Sequence, residues 1–315
     1  MSALPRGRRP ADAALLDLLV DELCELDRVR LVGISGGEPF LERRALDRVT
    51  ARLAAAGKQL VLYTSGNWGR DDGTAPGWTA AVLARASCVV LSTDRYHAER
   101  VPDARYVAAL RAAASAGSWI AVQVIDRREE TDRAERLLAG ALGPSWPDRA
   151  EIRPTPMLAR GRAARPRPER PGQPDQPGQP DQPEQADQPE QAERPLRPGS
   201  GRSFGACGLA RSPVVRFDGR VTACCNEDVV TGHGPAALRA AVRGRGELRE
   251  VFAAFDNDRY LAAVARAGPG ALTGLPRYRG LGERPFPDVC SLCWALLGLG
   301  ADRDPAVQAI GLVTR

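Results

Sequence analysis

The chain has 315 residues, of which 43% are hydrophobic and 26% are charged. This composition is enough to bury a core, and charged residues interrupt every apolar stretch well before the roughly 18 residues that a membrane span needs. The net charge of +5 is carried by scattered arginines, with Lys58 as the single lysine, so it predicts no nucleic-acid partner. We therefore predict a globular protein with neither a transmembrane helix nor a membrane partner. Because Asp12, Asp17 and Asp21 interrupt the segment that a signal peptide would need to be apolar, a cytoplasmic location is expected.

Helices and strands alternate through the first half of the chain. Leucines at helical spacing predict a helix over residues 13–26, and an apolar run predicts a strand over 29–34. Four further pairs follow, with helices predicted at 45–56, 78–86, 104–116 and 130–140, and strands at 60–63, 88–91, 119–125 and 151–153. Strands separated by helices indicate parallel β/α units, either closed into a barrel or open as a doubly wound sheet.

Residues 165–200 have a different composition, with proline and glutamine recurring and almost no apolar side chain. Such a segment cannot form a core and favours an extended, solvated conformation, so we interpret it as a disordered linker. Beyond it, from residue 201 to residue 315, five cysteines and an Asp218-Gly219 turn between two short β-type runs predict a second, small, cysteine-rich α+β domain.

Ligands of parallel β/α folds bind at the carboxyl ends of the strands, so the residues there are the candidates for a binding site. Two glycines, which let a backbone approach a ligand closely, are followed by a carboxylate that can accept a hydrogen bond from an ammonium group. The strand-end segments are Ser35-Gly36-Gly37-Glu38-Pro39, Thr64-Ser65-Gly66-Asn67, Ser92-Thr93-Asp94 and Asp126. They predict a pocket for a zwitterionic ligand that carries a nucleoside, although a plain strand exit into a proline-started helix would also explain the first segment.

The Gly36-Gly37-Glu38-Pro39 turn, with Ser92-Thr93-Asp94 two units later, resembles the radical S-adenosylmethionine enzymes. The resemblance implies a partial (β/α)6 barrel over residues 1–164 and S-adenosylmethionine as cofactor. Residues Gly36, Gly37 and Glu38 would then face the methionine amino group of the cofactor. Ser65 would add a polar contact, and Ser92 or Asp94 would contact the ribose.

Two further segments belong to the same resemblance. Arg100 is a weaker candidate for pairing with the methionine carboxylate. The Gly161-Arg162-Ala163 segment is similar to one that often follows the sixth strand in that family. His97 is interpreted as a hydrogen-bonded loop residue in preference to a proton carrier.

The sequence departs from the family at one essential point. The reaction of the family needs a [4Fe–4S] cluster on a Cys-x3-Cys-x2-Cys motif, and Cys24 is the only cysteine before the Gly-Gly turn. We hypothesise that the start codon is assigned too late and that the motif lies just upstream of Met1. The alternative is a homologue that has lost this cluster.

The cysteines of the second half resemble the SPASM and twitch domains that hold auxiliary clusters in this family. Because five cysteines suffice for one cluster only, the resemblance implies a twitch-like site with an auxiliary [4Fe–4S] cluster. The expected ligands are Cys207, Cys224, Cys290 and Cys293, with Cys225 as a possible substitute. Four thiolates also bind zinc, and the spacing does not exclude it.

The resemblance implies an enzyme that generates a 5′-deoxyadenosyl radical and abstracts hydrogen from a peptide or small-molecule substrate. It would need a reductant protein such as a flavodoxin or ferredoxin. Two alternatives stay open. One is a non-catalytic homologue that acts as an S-adenosylmethionine-binding or scaffold protein, and the other is an unrelated β/α enzyme with a zinc-stabilised C-terminal domain.

Overall fold

The computed structural model of the protein describes residues 13–155 and 198–313. In the first of these ranges the helices are α1 (Ala13–Glu25), α2 (Arg43–Ala55), α3 (Trp78–Leu83), α4 (Arg95–Ala98), α5 (Asp103–Ser115) and α6 (Arg128–Leu142). The strands are β1 (Leu31–Ile34), β2 (Gln59–Thr64), β3 (Cys88–Ser92), β4 (Trp119–Ile125) and β5 (Ala150–Thr155). The predicted alternation of helices and strands is confirmed, and α4 is an additional short helix.

The five strands form one parallel sheet in the order β1-β2-β3-β4-β5. The order in space is the order in sequence, with no reversal between described strands. A doubly wound sheet requires a reversal, where the ligand crevice forms. The described strands are therefore an α/β arrangement wound in one direction only.

The described helices cover one face of this sheet. Alternate strand residues, among them Leu62, Val89 and Ile120, are fully buried against side chains of the flanking helices. Residues of the opposite parity lie on a face that these helices do not cover, and Tyr63 and Trp119 on that face are about 40% exposed. The period-2 alternation of strand side chains thus separates a face packed against these helices from an opposite face that carries both exposed side chains and buried ones such as Val90.

The strand predicted at 151–153 is β5, but the Gly161-Arg162-Ala163 segment lies outside the described residues. Most of the predicted linker, residues 165–197, lies outside them as well. Its last three residues, 198–200, are described, and the last two of them form a short strand, β6 (Gly199–Ser200), which pairs antiparallel with Phe286 and Pro285. The ordered C-terminal unit therefore includes two residues that the sequence analysis places in the linker.

The C-terminal unit combines short strands with many helices. Its remaining strands are β7 (Val214–Val215), β8 (Arg220–Thr222), β9 (Arg239–Ala241) and β10 (Pro285–Phe286). Its helices are α7 (Glu227–Thr231), α8 (Glu247–Asn257), α9 (Arg259–Arg266), α10 (Pro269–Leu272), α11 (Arg279–Gly282), α12 (Val289–Gly298) and α13 (Pro305–Val313). The predicted hairpin is present as β7 and β8, whereas the sequence analysis names none of these helices.

The hairpin turn packs closely on its surroundings. Gly219 has a φ of +77°, and a Cβ placed there would lie 2.1 Å from the carbonyl oxygen of Val242 and 3.3 Å from Leu15 on α1. A side chain is therefore excluded by both the backbone conformation and the available space.

Helix α1 contacts both halves of the molecule. Its Val20 packs with Leu53 and Leu60 in the β/α unit. Its Leu19, together with Leu26 just after the helix, packs in a separate apolar cluster with Val221, Phe252 and other residues of the C-terminal unit. Apolar residues on two sides of one helix thus bury it between the parallel sheet and the cysteine-bearing unit.

None of the helices in the described ranges has the length and hydropathy required to cross a bilayer.

Candidate functional site

The turn after β1 exposes its backbone at the carboxyl edge of the sheet. Ser35, Gly36 and Gly37 are all exposed. Gly36 has a φ of 153°, which residues with a side chain rarely adopt, and a Cβ on either glycine would meet no atom within 4 Å. The space beside the turn is open, so the glycines are not explained by packing within the described protein, and a ligand can approach their backbone closely.

The carboxylate of Glu38 is already engaged by four donors. Its Oε1 accepts hydrogen bonds from the Thr64 hydroxyl at 2.7 Å and from the Phe40 amide at 3.2 Å. Its Oε2 accepts from the amide of Ser65 at 2.8 Å and from the Ser65 hydroxyl at 2.6 Å. A carboxylate offers about four acceptor positions. Glu38 therefore ties the turn after β1 to the end of β2, and an ammonium group would reach its oxygens only by displacing one of these donors.

Contacts between Thr64, Phe40 and two tryptophans hold this turn in place. The Thr64 hydroxyl accepts a hydrogen bond of 3.0 Å from the indole of Trp68, and that indole stacks on Phe40 with ring centroids 4.6 Å apart. Phe40 is 3% exposed and also contacts Trp78. The turn is therefore held in one arrangement by a buried aromatic cluster, which is how a binding site on a loop gains rigidity.

The segment after β3 is organised around Asp94. Its Oδ1 accepts from the amides of Tyr96 at 2.8 Å and His97 at 2.9 Å and so caps α4, while its Oδ2 lies 2.8 Å from Nδ1 of His97. Burial alone would raise the pKa of Asp94, but the hydrogen bonds from the His97 ring and from the two amides outweigh burial and hold that pKa below its usual range. Most of the acceptor capacity of Asp94 is thus used within the protein.

Helix α6 positions the same segment from the side. Glu130, 6% exposed, accepts a hydrogen bond of 3.0 Å from the amide of Arg95. Arg133 donates to the Thr93 hydroxyl at 2.6 Å and pairs with Asp103. These contacts fix the backbone next to Ser92 and Asp94, the two residues with a predicted ribose contact.

The other predicted cofactor contacts lie at different places on the fold. Glu38 and Ser65 are in direct contact, and Ser92 lies at the end of β3, buried to 7% exposure on the sheet face that the described helices do not cover. Arg100, the predicted carboxylate partner, is exposed beyond the end of α4.

The sequence analysis missed one polar row on the uncovered face. Ser92 is in register with Gln123 on β4, which is in register with Arg153 on β5. The Gln123 amide donates to the Thr155 hydroxyl at 3.3 Å. A glutamine inside the apolar segment 119–125 was the available signal, because a polar side chain at an inward strand position is usually hydrogen-bonded or functional.

The C-terminal unit brings the predicted cysteine ligands into one neighbourhood. Cys224 follows β8, Cys207 lies in the loop before β7, and Cys290 and Cys293 occupy the first turn of α12. The four sulfurs are close enough to interact electrostatically. None of the chain's seven cysteines forms a disulfide. Four cysteines that are distant in sequence therefore lie in one neighbourhood of the C-terminal unit.

Burial keeps the thiols of Cys224 and Cys293 protonated at neutral pH. It raises the pKa of Cys224 to about 11 and that of Cys293 to about 12, with the neighbouring cysteines adding to both shifts. Tyr260 opposes the shift at Cys293, since its hydroxyl donates a hydrogen bond of 3.2 Å to the sulfur.

Cys225 is the exposed member of the group. Partial burial of its thiol, together with the charge of Cys207, nevertheless raises the pKa of Cys225. Within residues 13–155 and 198–313, no three His, Cys, Asp or Glu side chains stand in an arrangement that holds a metal ion. Binding of a metal ion by these cysteines would therefore require the side chains to move into a new arrangement and the thiols to lose their protons.

Comparison with known proteins gives no relative: no protein-family model matches the chain, and no curated protein matches it either.

Proposed function

We propose that the protein is a radical S-adenosylmethionine enzyme with an auxiliary iron–sulfur cluster in its C-terminal unit. The observation that supports the proposal is that Cys207, Cys224, Cys290 and Cys293 lie in one neighbourhood, in a unit attached to a parallel β/α sheet. Thiolate ligands of this number suit an iron–sulfur cluster. The strand order β1-β5, with helices on one face, supports an arc of a β/α barrel whose interior is the uncovered face.

The cofactor would bind at the carboxyl edge of the sheet. Exposed backbone at Gly36 and Gly37 is available to the methionine amino group, while Glu38 holds the turn through Thr64 and Ser65. Ser92 is the candidate contact to the ribose. When bound beside a reducing cluster, S-adenosylmethionine supplies a 5′-deoxyadenosyl radical for hydrogen abstraction in the enzymes that the chain resembles. A peptide or small molecule is the proposed substrate, with a flavodoxin or ferredoxin as reductant.

A second candidate is a protein that binds S-adenosylmethionine or a partner without radical chemistry. One observation favours it: the oxygens of Glu38 already accept four hydrogen bonds from the protein. The 315 residues also contain no Cys-x3-Cys-x2-Cys motif for the reducing cluster. This candidate predicts binding of S-adenosylmethionine without formation of 5′-deoxyadenosine.

The test of the cluster uses protein reconstituted with iron and sulfide under anaerobic conditions. Cys290→Ser is expected to lose the iron and sulfide of one cluster. Cys88→Ser is the matched control, because Cys88 is also half-buried but lies on β3 in the parallel sheet. Equal iron in wild type and Cys290→Ser, or a colourless protein that binds only zinc, would overturn the auxiliary cluster.

The test of catalysis is 5′-deoxyadenosine formation by protein purified anaerobically from its natural source and supplied with dithionite and S-adenosylmethionine. Formation of the product supports the enzyme. Binding without product favours the second candidate.

A further inference from the structure

The segment after β3 carries a histidine whose ring lies against a carboxylate. His97, on α4, places its Nδ1 2.8 Å from Oδ2 of Asp94, and the two side chains are 19% and 14% exposed. Nδ1 is fully buried and has no hydrogen-bond partner elsewhere in the described chain. Nε2 is not fully buried, and no described residue forms a hydrogen bond with it. The two nitrogens of one ring thus lie in different surroundings.

This contact assigns the proton of the neutral imidazole to Nδ1. A lone pair on Nδ1 would face the lone pairs of the carboxylate at 2.8 Å, and two acceptors repel each other, whereas a proton on Nδ1 makes the same contact attractive. Although burial raises the pKa of Asp94, the His97 ring and two backbone amides hold that pKa below its usual range, so the carboxylate is ionised at neutral pH. With Nδ1 protonated, the lone pair of neutral His97 lies on Nε2.

We propose that His97 is a proton acceptor for a substrate bound at the carboxyl edge of the sheet, and that Asp94 is the positioning residue that fixes its tautomer. The substrate carries an acidic N–H or O–H group. The proton moves from that group to Nε2, the electron pair of the broken bond stays on the substrate, and the carboxylate balances the charge of the imidazolium that forms. This inference goes beyond the proposed function, because the step needs neither the cysteines nor S-adenosylmethionine.

The place of this pair in the fold supports a role at the binding edge. Thr64 on β2 and Leu91 on β3 are register partners. Ser65 and Ser92 follow them, and so they lie at the ends of neighbouring strands. His97 comes directly after this strand end, on the short helix α4. The exposed glycine turn after β1 lies at the same edge of the sheet, since β1 pairs parallel with β2. The candidate binding edge therefore includes a base.

The groups that pack on this segment have contacts of their own. Glu130 accepts from the amide of Arg95 at 3.0 Å, and Arg133 donates to the Thr93 hydroxyl at 2.6 Å and pairs with Asp103. The carboxylate of Asp94 is thus the group that sets the protonation of Nδ1. The charged and titratable neighbours of the Asp94–His97 pair are Arg95 and Tyr96 on α4, Asp103 and Tyr106 on α5, and Glu130 and Arg133 on α6.

Capping of α4 does not by itself explain the contact with the His97 ring. Oδ1 of Asp94 alone accepts from the amides of Tyr96 and His97, and an asparagine oxygen would accept the same two bonds. In Asp94→Asn the amide oxygen therefore faces these backbone amides, and the NH2 group faces Nδ1. Because an NH2 group only donates, Nδ1 must become an acceptor and the proton of the neutral ring must move to Nε2.

The first experiment determines the tautomer of His97 in the full chain by nuclear magnetic resonance of isotopically labelled histidine. The sample is held at about pH 8.5, above the ordinary histidine pKa of about 6.5, so that the rings are neutral. The chain has two histidines, and His233→Gln assigns their signals. We expect the proton on Nδ1 in wild type and on Nε2 in Asp94→Asn. His233 is the control, since it is exposed and its Nδ1 lies 3.1 Å from a hydroxyl, that of Thr231, which can donate or accept.

The second experiment measures whether the lone pair is accessible. Diethyl pyrocarbonate reacts with an unprotonated ring nitrogen, and mass spectrometry of the resulting peptides gives the rate at each histidine. His97 should react in the folded wild type. Its rate should fall by about tenfold or more in Asp94→Asn, because the lone pair then lies on the buried Nδ1. The rate at His233 should be the same in both proteins.

Two outcomes overturn the proposal. A proton on Nε2 in the wild type would show that His97 serves only the cap of α4. A wild-type His97 that resists the reagent until urea unfolds the chain would show that Nε2 is closed to a substrate. If Asp94→Asn does not fold, the tautomer and the reactivity of the wild type still decide. Because neither measurement involves iron or S-adenosylmethionine, a failure here and a failure of the proposed function are distinguishable.

Discussion

The carboxylate of Glu22, on α1, accepts a hydrogen bond of 2.6 Å from the amide of Gly246, immediately before α8. The same carboxylate accepts hydrogen bonds from the amides of Leu248 at 3.1 Å and Arg249 at 3.3 Å. Glu22 is only 4% exposed, so these bonds compensate for the burial of its charge. These amides are among the unpaired donors at the start of a helix, where the helix dipole favours a negative charge. A side chain of the β/α half therefore caps a helix of the C-terminal unit and fixes the two together.

Replacement of Glu22 by alanine is expected to destabilise the protein by roughly 2–3 kcal/mol, because three amides would lose a charged acceptor and one of them, that of Leu248, would remain buried. Glu25→Ala is the control. Glu25 lies on the same helix and pairs with Arg245 at 2.6 Å, but both side chains are about half exposed or more, so its loss should cost under about 0.5 kcal/mol. Urea unfolding at pH 7 measures both, and equal losses would contradict the capping role of Glu22.

Most helices and strands of the β/α half were predicted correctly, because each is specified by the residues of its own segment. Most strands are apolar runs that end in glycine or small polar residues, and each of the long helices has apolar residues at helical spacing. The sequence of the C-terminal unit contains weaker signals of secondary structure. Helices such as α10 and α11 span four residues each, too short for any periodicity to emerge, and their burial depends on partners distant in the sequence.

The candidate site was likewise predicted only in part from the sequence. The Gly36-Gly37 turn and the cysteines were identified from residue types alone, but the partners of Glu38 were not. Thr64 reaches Glu38 because β1 and β2 pair in one register, a tertiary fact that spacing does not contain. Tyr260 looks like any core aromatic residue on an amphipathic helix, and only the packing of α9 against α12 places its hydroxyl at a sulfur.

Replacement of Thr64 tests the hydrogen bonds that this residue makes with Glu38, Trp68 and Gly66. Thr64→Val keeps the shape of the side chain but removes the donor to Glu38 and the acceptor for both Trp68 and the amide of Gly66. We expect a loss of about 1–3 kcal/mol in the free energy of unfolding, because donors remain buried without partners. In Thr79→Val a similarly buried hydroxyl loses only one bond, to the carbonyl of Pro76, so the loss should be smaller. A Thr79→Val effect as large as that of Thr64→Val would show that the network adds nothing.

Asp94 gives a pH dependence whose sign follows from its depressed pKa. A carboxyl group with a lower pKa in the folded state stabilises the protein above the pKa of the unfolded chain, about 3.9 for Asp, and that contribution is lost as the pH falls through the folded value. Asp94→Asn should therefore be less stable than wild type at pH 6, and the difference should shrink below about pH 4. Urea unfolding of both proteins between pH 2.5 and 6 tests this. A difference independent of pH would mean that the charge of Asp94 contributes nothing.

Gly37 separates ligand binding from folding. A Cβ at this position would meet no protein atom within 4 Å, and Gly37 does not have a positive φ, so Gly37→Ala should fold with unchanged or slightly raised stability. The added methyl group occupies the space through which a ligand reaches the backbone. We therefore expect affinity for S-adenosylmethionine, measured by equilibrium dialysis, to fall by about tenfold or more, equivalent to about 1.4 kcal/mol.

The matched control for Gly37→Ala is Gly77→Ala. Gly77 is also exposed, has no positive φ and would place its Cβ in open space, but it precedes α3, away from the Gly-Gly turn. The affinity of the Gly77→Ala variant for S-adenosylmethionine should equal that of wild type. If Gly37→Ala and Gly77→Ala bind alike, the open space beside the turn is not the cofactor site. A loss confined to Gly37→Ala, with unfolding midpoints unchanged, assigns the exposed turn to the ligand independently of whether the bound cofactor is ever cleaved.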